Sequence, residues 1–350
     1  MLLRDILQLK YGKNQTEVSD INGKYPIYGT GGIMGYANKF LYNKPSILFG
    51  RKGSISKVQF VDKPFWCVDT TFYSVIDETK VIPKYLFYKF QNIDFSVFDE
   101  GTTIPSLRTE TLNKLNFSID SMGLQQHIVD TIGSVDDLIE FNEQKILKLE
   151  SILIDKFNDF YKTKCNNIDK LGNVFNCLLG GTPNTSKPEF WGGNINWINS
   201  GEVNNLRICK PSKKITELGM NKSATKLLPK GTTVLAITGA TLGQISLLEI
   251  DTCANQSVVG ILENNTLGKE FIYPLVNYHI KDLISHQTGG AQPHINKDNI
   301  ENLSIKMPTA DDYINYKNKT RLLVELQSNL VIQNEKLKDI KECLLKKYFG

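Results

Sequence analysis

The sequence predicts an α+β fold in which two pseudo-symmetric mixed α/β domains are separated by two long antiparallel coiled-coil helices. Three observations predict it. The chain of 350 residues repeats its motifs at offsets of 186 to 191 residues. Each repeat begins with short apolar runs between glycine-rich turns, which are typical of β-strands. Each repeat ends with a stretch whose apolar residues recur at 3-4 spacing, which is typical of a coiled-coil helix.

The two predicted domains, residues 1–122 and residues 166–308, carry matching motifs in the same order. Near the end of the first stands Gly101-Thr-Thr-Ile-Pro105-Ser-Leu107, and 188 residues later stands Gly289-Gly-Ala-Gln-Pro293-His-Ile295. Upstream matches have offsets of 187 and 186 residues; they pair Ser46-Ile-Leu-Phe49 with Thr233-Val-Leu-Ala236, and Cys67-Val-Asp-Thr-Thr-Phe72 with Cys253-Ala-Asn-Gln-Ser-Val258. A short helix is predicted in each domain, at Pro83–Phe90 and at Lys269–Ile284.

The two predicted long helices are residues 123–165 and residues 309–350. The first has a seam formed by Ile128, Ile132, Val135, Ile139, Asn142, Ile146, Leu149 and Leu153. At an offset of 191 residues the second repeats it as Leu323, Leu326, Leu330, Gln333, Leu337, Ile340 and Leu344. We expect the seams to pack antiparallel, with Asn142 and Gln333 paired and fixing the register. The alternative is that each helix covers its own domain, but about 38 residues span ~57 Å, which is longer than such a domain.

Charge and cysteine usage narrow the class of protein. The formal net charge is only +4, yet residues 1–64 hold ten Lys and Arg against four Asp and Glu, whereas residues 123–164 hold five against eight. A phosphate-binding surface requires such clustering, although ordinary solvated lysines would also produce it. The six cysteines form no CxxC pair or metal-ligand spacing, and no apolar run reaches the ~18 residues of a membrane span. With no signal-like N-terminus, we expect a reduced cytoplasmic protein without metal or membrane.

Two similar domains at a fixed separation suit duplex DNA, which offers similar sites at fixed spacing. Further motifs are Tyr25-Pro-Ile-Tyr-Gly-Thr-Gly-Gly32, Pro45-Ser-Ile-Leu-Phe-Gly-Arg-Lys-Gly-Ser54, Gly180-Gly-Thr-Pro-Asn184 and Trp191-Gly-Gly-Asn-Ile-Asn-Trp197-Ile-Asn-Ser-Gly201. Together with the loop from Gly289 to Ile295, and over essentially the whole chain, these segments are similar to those of type I restriction-modification specificity subunits.

The resemblance implies that each domain is a target-recognition domain that reads one half of an asymmetric, two-part DNA sequence. It implies that the helices are a spacer and a docking surface for two methyltransferase subunits, which bind S-adenosylmethionine, and that motor-nuclease subunits join for cleavage. Two alternatives remain open: a specificity chain of a type II system, and a coiled-coil adaptor that does not bind DNA. Binding to duplex DNA that weakens steeply with salt would exclude the adaptor.

The chain shows no catalytic motif of its own. It has no Pro-Pro dipeptide, so the Asn/Asp-Pro-Pro-Phe/Tyr motif of an adenine methyltransferase is missing. Glu143-Gln-Lys145 resembles part of a nuclease site, but it falls in the middle of the helical heptads, where a solvated helix face is expected. We therefore expect a non-catalytic subunit with no cofactor in this chain.

Candidate DNA contacts are polar residues near the glycine-rich loops. For phosphates they are Lys24, Lys39, Lys44, Arg51, Lys52 and Lys57 in the first domain, and Lys187, Arg207, Lys213, Lys214 and Lys222 in the second. For bases they are Tyr28, Thr30, Arg51, Ser54 and Thr102, and in the second domain Asn199, Ser200, Thr238, Gln292 and His294. The alternative for each is an exposed polar side chain without a partner; for Tyr28, which aligns with Trp197, it is a structural role shared with that tryptophan.

Apolar residues outside the first seam predict a second buried helix face. They are Leu138, Phe141, Leu147, Ile152, Ile154 and Phe157. Two interpretations are open: these residues contact a partner subunit, or they pack on the chain's own domains.

Overall fold

The computed structural model describes residues 1–285, 287 and 293–350. The chain divides into two compact units: unit 1 comprises Met1–Ile139 and Leu337–Gly350, and unit 2 comprises Glu140–Lys336. Each unit therefore contains one globular part and one segment of each long helix.

Unit 1 is built on two small sheets. Its strands are β1 (Leu7–Tyr11), β2 (Tyr25–Gly29), β3 (Gly32–Ala37), β4 (Ser46–Gly50), β5 (Val58–Val61), β6 (Trp66–Cys67) and β7 (Thr71–Ile76). One sheet has the order β1-β7-β4-β5 and is antiparallel, and the other has the order β3-β2-β6, in which β2 runs parallel to β6. Every residue of β4 is buried, as expected of a short apolar run that is covered on both faces.

Two short helices and the start of the first long helix complete the core of unit 1. They are α1 (Pro83–Gln91), α2 (Thr109–Leu112) and α3 (Met122–Lys164). Helix α1 begins with a proline, whose fixed φ and missing N–H suit the first helical turn. Its Tyr85, Leu86 and Phe90 are buried in one cluster with Ile128 and Ile132 of α3.

Unit 2 contains the larger set of elements, the last of which is a long helix that ends in unit 1. They are β8 (Cys165–Lys170), α4 (Leu171–Val174), β9 (Cys177–Leu179), β10 (Trp191–Ile198), β11 (Arg207–Ile208), β12 (Lys213–Ile215), α5 (Glu217–Asn221), β13 (Leu227–Leu228), β14 (Thr233–Ala236), β15 (Ile245–Leu248), β16 (Thr252–Ala254), β17 (Val258–Ile261), α6 (Lys269–Ser285), α7 (Lys297–Glu301), β18 (Ser304–Pro308) and α8 (Ala310–Phe349). Its sheets have the orders β9-β17-β14-β15-β11, β12-β10-β16-β13 and β18-β8.

The two units repeat one topology. The order β9-β17-β14-β15 corresponds to β1-β7-β4-β5, and β12-β10-β16 corresponds to β3-β2-β6, including the parallel pairing of the last two strands. The register agrees as well, since Tyr28 pairs with Cys67 and Trp197 pairs with Cys253, the two cysteines that the sequence repeat equates. The predicted pair of pseudo-symmetric mixed α/β domains is confirmed. Unit 2 adds the edge strands β11 and β13.

The long helices pair antiparallel within each unit. Helix α3 has 43 residues and α8 has 40. In unit 2, Asn142 contacts Asn334 and Lys164 contacts Asp312, so residue numbers fall along α8 as they rise along α3. In unit 1, Asp136 contacts Lys341 in the same sense. The prediction of two long antiparallel helices is confirmed.

The residues predicted for the α3 seam are buried or half-buried, with Ile128 and Ile132 in the domain core of unit 1. Ile128, Ile132, Asn142, Ile146, Leu149 and Leu153 are buried, and Val135 and Ile139 are half-buried. Asn142 donates hydrogen bonds from Nδ2 to Gln333 Oε1 (3.1 Å) and to Asn334 Oδ1 (2.8 Å). Of these two acceptors, Asn334 is the buried side chain and Gln333 is exposed.

The predicted seam of α8 is wrong at several positions. Leu326 and Ile340 are each 48% exposed, and only Leu330 of the predicted set is fully buried; Leu323, Leu337 and Leu344 are half-buried. The buried face lies about one residue further along and includes polar side chains, namely Thr320, Gln327, Ser328 and Asn334. The spacing of apolar residues predicts the wrong positions for this seam, because several of the residues that form the buried face are polar.

Candidate nucleic-acid interface

The repeated loop of unit 1 is fixed to the segment that follows β4. The Gly53 N–H donates to the Pro105 carbonyl (2.9 Å), and the Leu107 N–H donates to the Arg51 carbonyl (3.0 Å). Lys52 and Ser106 form an isolated antiparallel bridge between these two bonds. Two segments that the sequence singled out separately thus form one surface, which we call the unit 1 loop cluster (residues 50–54 and 101–107).

The same contact recurs in unit 2. The Gly239 N–H donates to the Pro293 carbonyl (2.9 Å), the Ile295 N–H donates to the Ile237 carbonyl (3.0 Å), and Thr238 bridges His294. Gly53 and Gly239 both have positive φ, 87° and 65°, a conformation that favours glycine. The unit 2 loop cluster comprises residues 236–240 and 293–295. Gln292, the remaining candidate in this loop, lies outside the described residues.

A glycine-lined depression adjoins the unit 1 loop cluster. Residues 29–34 line it on one side, and Gln15 and residues 68–70 line it on the other. The backbone N–H groups of Arg51 and Lys52 donate to the Thr70 carbonyl (2.8 and 3.2 Å), which joins the depression to the loop cluster. Most of the polar candidates of unit 1 are exposed to solvent: Lys24, Lys39, Lys44, Lys52, Ser54, Lys57 and Thr102. The other three, Tyr28, Thr30 and Arg51, are half-buried.

Two of the half-buried candidates are held by neighbours. The Arg51 guanidinium donates to the Asp69 carbonyl (2.9 Å) and lies 5.1 Å from the centre of the Tyr11 ring. Tyr28 packs edge-to-face on Phe65, with ring centres 6.1 Å apart, and burial raises its pKa. Arg51 therefore keeps other donors available, whereas the Tyr28 ring has a packing role, as does Trp197, whose indole donates to the Gly181 carbonyl (3.1 Å).

In unit 2 the candidate lysines are exposed. These are Lys187, Lys213, Lys214 and Lys222. Two of them lie over aromatic rings: Lys213 is 5.4 Å from the Trp191 ring centre and Lys187 is 5.2 Å from that of Phe190. Each ring fixes an ammonium group near β10 and leaves its charge accessible to a phosphate.

The predicted base contact Asn199 caps a short helix instead. Its Oδ1 accepts from the Gly201 N–H (2.7 Å), and Glu202 Oε2 accepts from the Asn199 N–H (2.8 Å), so the two side chains form a capping box at Ser200–Asn204. Ser200 begins this helix and is half-buried, as is Thr238. The oxygen of Asn199 is used to shape the loop.

The prediction that Arg207 contacts phosphate is wrong. Its side chain is only 4% exposed, and Nη1 lies 2.8 Å from Glu249 Oε1 while Nη2 donates to Gln327. Burial opposes ionisation of Glu249, but the Ser328 hydrogen bond and the charges of Arg207 and Lys230 lower its pKa below the ordinary value. Arg207 is an internal ion-pair partner because β11 lies against α8.

Of the apolar residues outside the α3 seam, two pack within the chain and four are exposed. Phe157 is fully buried in the core of unit 2 and Ile154 is half-buried. Leu138, Phe141, Leu147 and Ile152 are exposed, by 38, 52, 68 and 36%. Glu143, Gln144 and Lys145 lie on the same solvated helix surface, with the Lys145 ammonium 4.1 Å from the Phe141 ring centre.

Two structural features of unit 1 were missed by the sequence analysis. Asp99 Oδ1 accepts from the N–H groups of Gly101 and Ser106, both at 2.8 Å, and so closes the repeated loop. An Asp two residues before a glycine is a known turn signal that would have identified it. The second feature is the apolar pair Ile33 and Met34, exposed by 55 and 59% beside the depression; single exposed apolar residues give no sequence signal.

Across residues 1–285, 287 and 293–350, no three His, Cys, Asp or Glu side chains converge as metal ligands would. In the same part of the chain, no helix has the length and apolarity that a bilayer crossing demands.

Comparison with known proteins gives one consistent result. The family model described as "Type I restriction modification DNA specificity domain" matches residues 1–151 and 166–341. The chain is 24% identical over 190 residues to the type I restriction enzyme MjaIX specificity subunit of Methanocaldococcus jannaschii, covering 52% of this chain and 43% of the relative. It is 24% identical over 148 residues to the EcoR124I/EcoR124II specificity subunit of Escherichia coli, covering 41% and 37%. The matches thus span less than half the length of these relatives.

A solved structure shares the fold across the full chain. The S subunit of a type I restriction-modification system from M. genitalium superposes with a TM-score of 0.66 at 18% identity, covering 100% of this chain and 95% of that one.

Proposed function

Because the chain belongs to the type I restriction modification DNA specificity domain family, we propose that it selects the DNA sequence on which a type I restriction-modification complex acts. The observation that carries the proposal is the loop cluster, which occurs twice with the same bridge and the same positive-φ glycine. Two equivalent surfaces on one chain suit a target with two read segments.

Each globular domain reads one segment in this proposal. The domains are residues 1–122 and residues 166–308. Exposed lysines around the depression and along β12 contact phosphates, which supplies affinity and orientation without sequence information. Side chains of the loop clusters, such as Ser54, Thr102 and His294, reach base edges. Since the two loop clusters differ in sequence, the target is asymmetric.

The two long helices are proposed to set the number of unread base pairs between the segments. Packed helices resist changes in length, so the gap is fixed by helix length rather than by contacts to the intervening bases. The solvated apolar residues Leu138, Phe141, Leu147 and Ile152 are proposed to contact two methyltransferase subunits. Those subunits supply S-adenosylmethionine and the methyl transfer, motor-nuclease subunits add cleavage, and this chain is non-catalytic.

The test is methylome sequencing of cells that express this chain with its modification subunits. A two-part motif with a fixed gap is expected. Inserting one heptad into each long helix at paired positions lengthens the pair by about 10 Å, which is roughly three base pairs of duplex. The gap should therefore grow by about three base pairs while both read segments stay the same.

The matched control inserts the heptad into one helix only. It breaks the pairing of Asn142 with Asn334 and should abolish modification. A motif in one continuous piece, or a gap unchanged by the double insertion, would contradict the proposal, as would methyl transfer by the purified chain alone.

A further inference from the structure

The tip of the β2–β3 hairpin presents two apolar side chains to solvent. Thr30 and Gly31 alone connect the strands. Ile27 pairs with Gly35 and Tyr28 pairs with Ile33, so Met34 is the extra residue of a β-bulge. Ile33 and Met34 are 55 and 59% exposed. A bulge aims side chains in a direction that regular strand alternation would not give.

Contacts with Gln59 and with the Gly29 backbone hold the hairpin tip in place. The Gln59 side-chain amide donates to the carbonyls of Gly29 (2.9 Å) and Thr30 (3.3 Å). The Met34 sulfur lies 3.2 Å from the position that a Cβ would take on Gly29. Because Gly29 has no side chain, the thioether of Met34 has room to lie close to the Gly29 backbone. Met34 is therefore a supported apolar side chain, and Ile33 precedes it on the same strand.

The hairpin tip is continuous with the proposed DNA-reading surface of unit 1. Residues 29–34 line the same depression as residues 68–70. Thr70 accepts hydrogen bonds from the backbone of Arg51 and Lys52. A ligand that spans the loop cluster and the hairpin tip therefore meets two cations and two apolar side chains together.

Duplex DNA offers phosphates to the two cations and one apolar group to the two apolar side chains. In the major groove, the 5-methyl group of thymine is the apolar feature on the base edges, and it accepts contacts from apolar side chains. The other apolar mode inserts a projecting side chain between base pairs and unstacks them. A Met34 thioether that lies close to the Gly29 backbone fits surface contact. We propose, resting on the proposed function, that Ile33 and Met34 contact a thymine methyl in the segment read by unit 1.

Residues 199–212 of unit 2, all of them described by the structure, do not form this device. The corresponding strands β10 and β12 are joined by residues 199–212, which form the capped helix Ser200–Asn204 and the strand β11. Arg207 on β11 is directed into the ion pair with Glu249. The methyl contact therefore belongs to one segment of the target only.

The test replaces each thymine of the two read segments by deoxyuridine, one at a time, in duplexes carrying the motif found by methylome sequencing. The complex of the full chain with its modification subunits is titrated in competition. Deoxyuridine keeps base pairing and removes only the methyl group. At one thymine in the unit 1 segment, affinity should fall about fourfold, the value of one buried methyl-sized group. In the variant with both Ile33→Ala and Met34→Ala, that loss should disappear.

Ile21→Ala is the matched control, because Ile21 is 95% exposed and lies outside the depression; it should keep the full deoxyuridine effect. A unit 1 segment without thymine overturns the inference, as does an equal loss in wild type and double variant. A rise in 2-aminopurine fluorescence on binding that the double variant removes also overturns it in favour of unstacking. In each of these cases a two-part motif is still present, whereas failure of the proposed function would leave none.

Discussion

The two units hold similar domains on the helix pair by different chemistry. In unit 1, Leu345 of α8 is buried in the domain core, and Phe349 packs on Tyr85 with ring centres 5.5 Å apart. The polar contacts here are hydrogen bonds: the Tyr88 hydroxyl donates to Asp136 of α3 (2.7 Å), and the Asn92 amide donates to the Leu345 carbonyl (2.9 Å). In unit 2 the ion pair of Arg207 and Glu249 lies at the contact, with side chains 4 and 1% exposed.

A chain of hydrogen bonds extends the ion pair of unit 2 across both helices. Gln327 of α8 accepts from Arg207 and donates to Glu150 of α3 (2.9 Å), and Glu150 accepts from the Tyr273 hydroxyl (2.9 Å). Apolar packing with single hydrogen bonds tolerates small shifts, but a buried hydrogen-bonded ion pair is satisfied in one arrangement. The comparison teaches that two domains of the same topology can contact their helices through different side chains. The domain-helix contact of unit 2 tolerates less displacement, because its buried ion pair requires one arrangement.

The largest expected effect comes from breaking the ion pair on one side. Arg207→Met leaves Glu249 buried without its main partner, and should lower the free energy of unfolding by about 3–5 kcal/mol. Urea titration, with hydrogen exchange in β14 and β15 to assign the loss to unit 2, measures it.

The double variant Arg207→Met with Glu249→Leu removes both charges and should recover most of that loss. Lys230→Ala is a second control, since Lys230 is half exposed and Glu249 keeps Arg207, and it should cost clearly less stability than Arg207→Met. If Arg207→Met alone stays within 1 kcal/mol of wild type, the contrast between the units is wrong.

These residues also show what the sequence could predict. The repeat, the strand runs and both long helices follow from periodicity, because short apolar runs and 3-4 spacing each have one structural solution at this length. The seam of α3 follows for the same reason, since its residues are apolar apart from Asn142. The seam of α8 does not, because Gln327 and Asn334 are polar residues buried by partners on other elements.

The candidate interface was predictable in its loops but not in its side chains. The repeated Pro105 and Pro293 located one segment of each loop cluster, whereas the positive-φ glycines of the other segment, Gly53 and Gly239, were not matched to each other in the sequence. Arg207 was misassigned because its partner Glu249 is distant in sequence. One available signal was its position between Leu206 and Ile208, a local apolar setting in which an exposed arginine is less expected.

The second effect, intermediate in size, probes the apolar contact of unit 1. Leu345→Ala leaves a cavity in the domain core and should lower the free energy of unfolding by about 2–4 kcal/mol. Leu345→Met, which nearly conserves volume, should cost less than about 1.5 kcal/mol. Leu322→Ala is the control on the same helix, because Leu322 is 66% exposed, and it should change stability by under about 0.5 kcal/mol. Equal losses for all three variants would show that side-chain volume does not decide this contact.

The smallest effect concerns pH and the repeated loops. Hydrogen bonds from the Ser106 and Gly101 N–H groups lower the pKa of Asp99, whereas the residue 188 positions later is Gln287, which does not titrate. A carboxyl group whose pKa is lowered by folding stabilises the native loop above its unfolded pKa, about 3.9, and that contribution is lost as pH falls through the lower native value. Protection of the Ser106 amide against hydrogen exchange, corrected for intrinsic rates, should therefore decline below about pH 4.

The control variant is Asp99→Asn, which keeps an acceptor oxygen but has no charge to lose. In this variant, protection of the Ser106 amide should be weaker at pH 6 and should not decline below pH 4. Equal protection of wild-type Ser106 at pH 3 and pH 6 would show that the carboxylate does not close the loop, and the two loop clusters would then be alike in this respect.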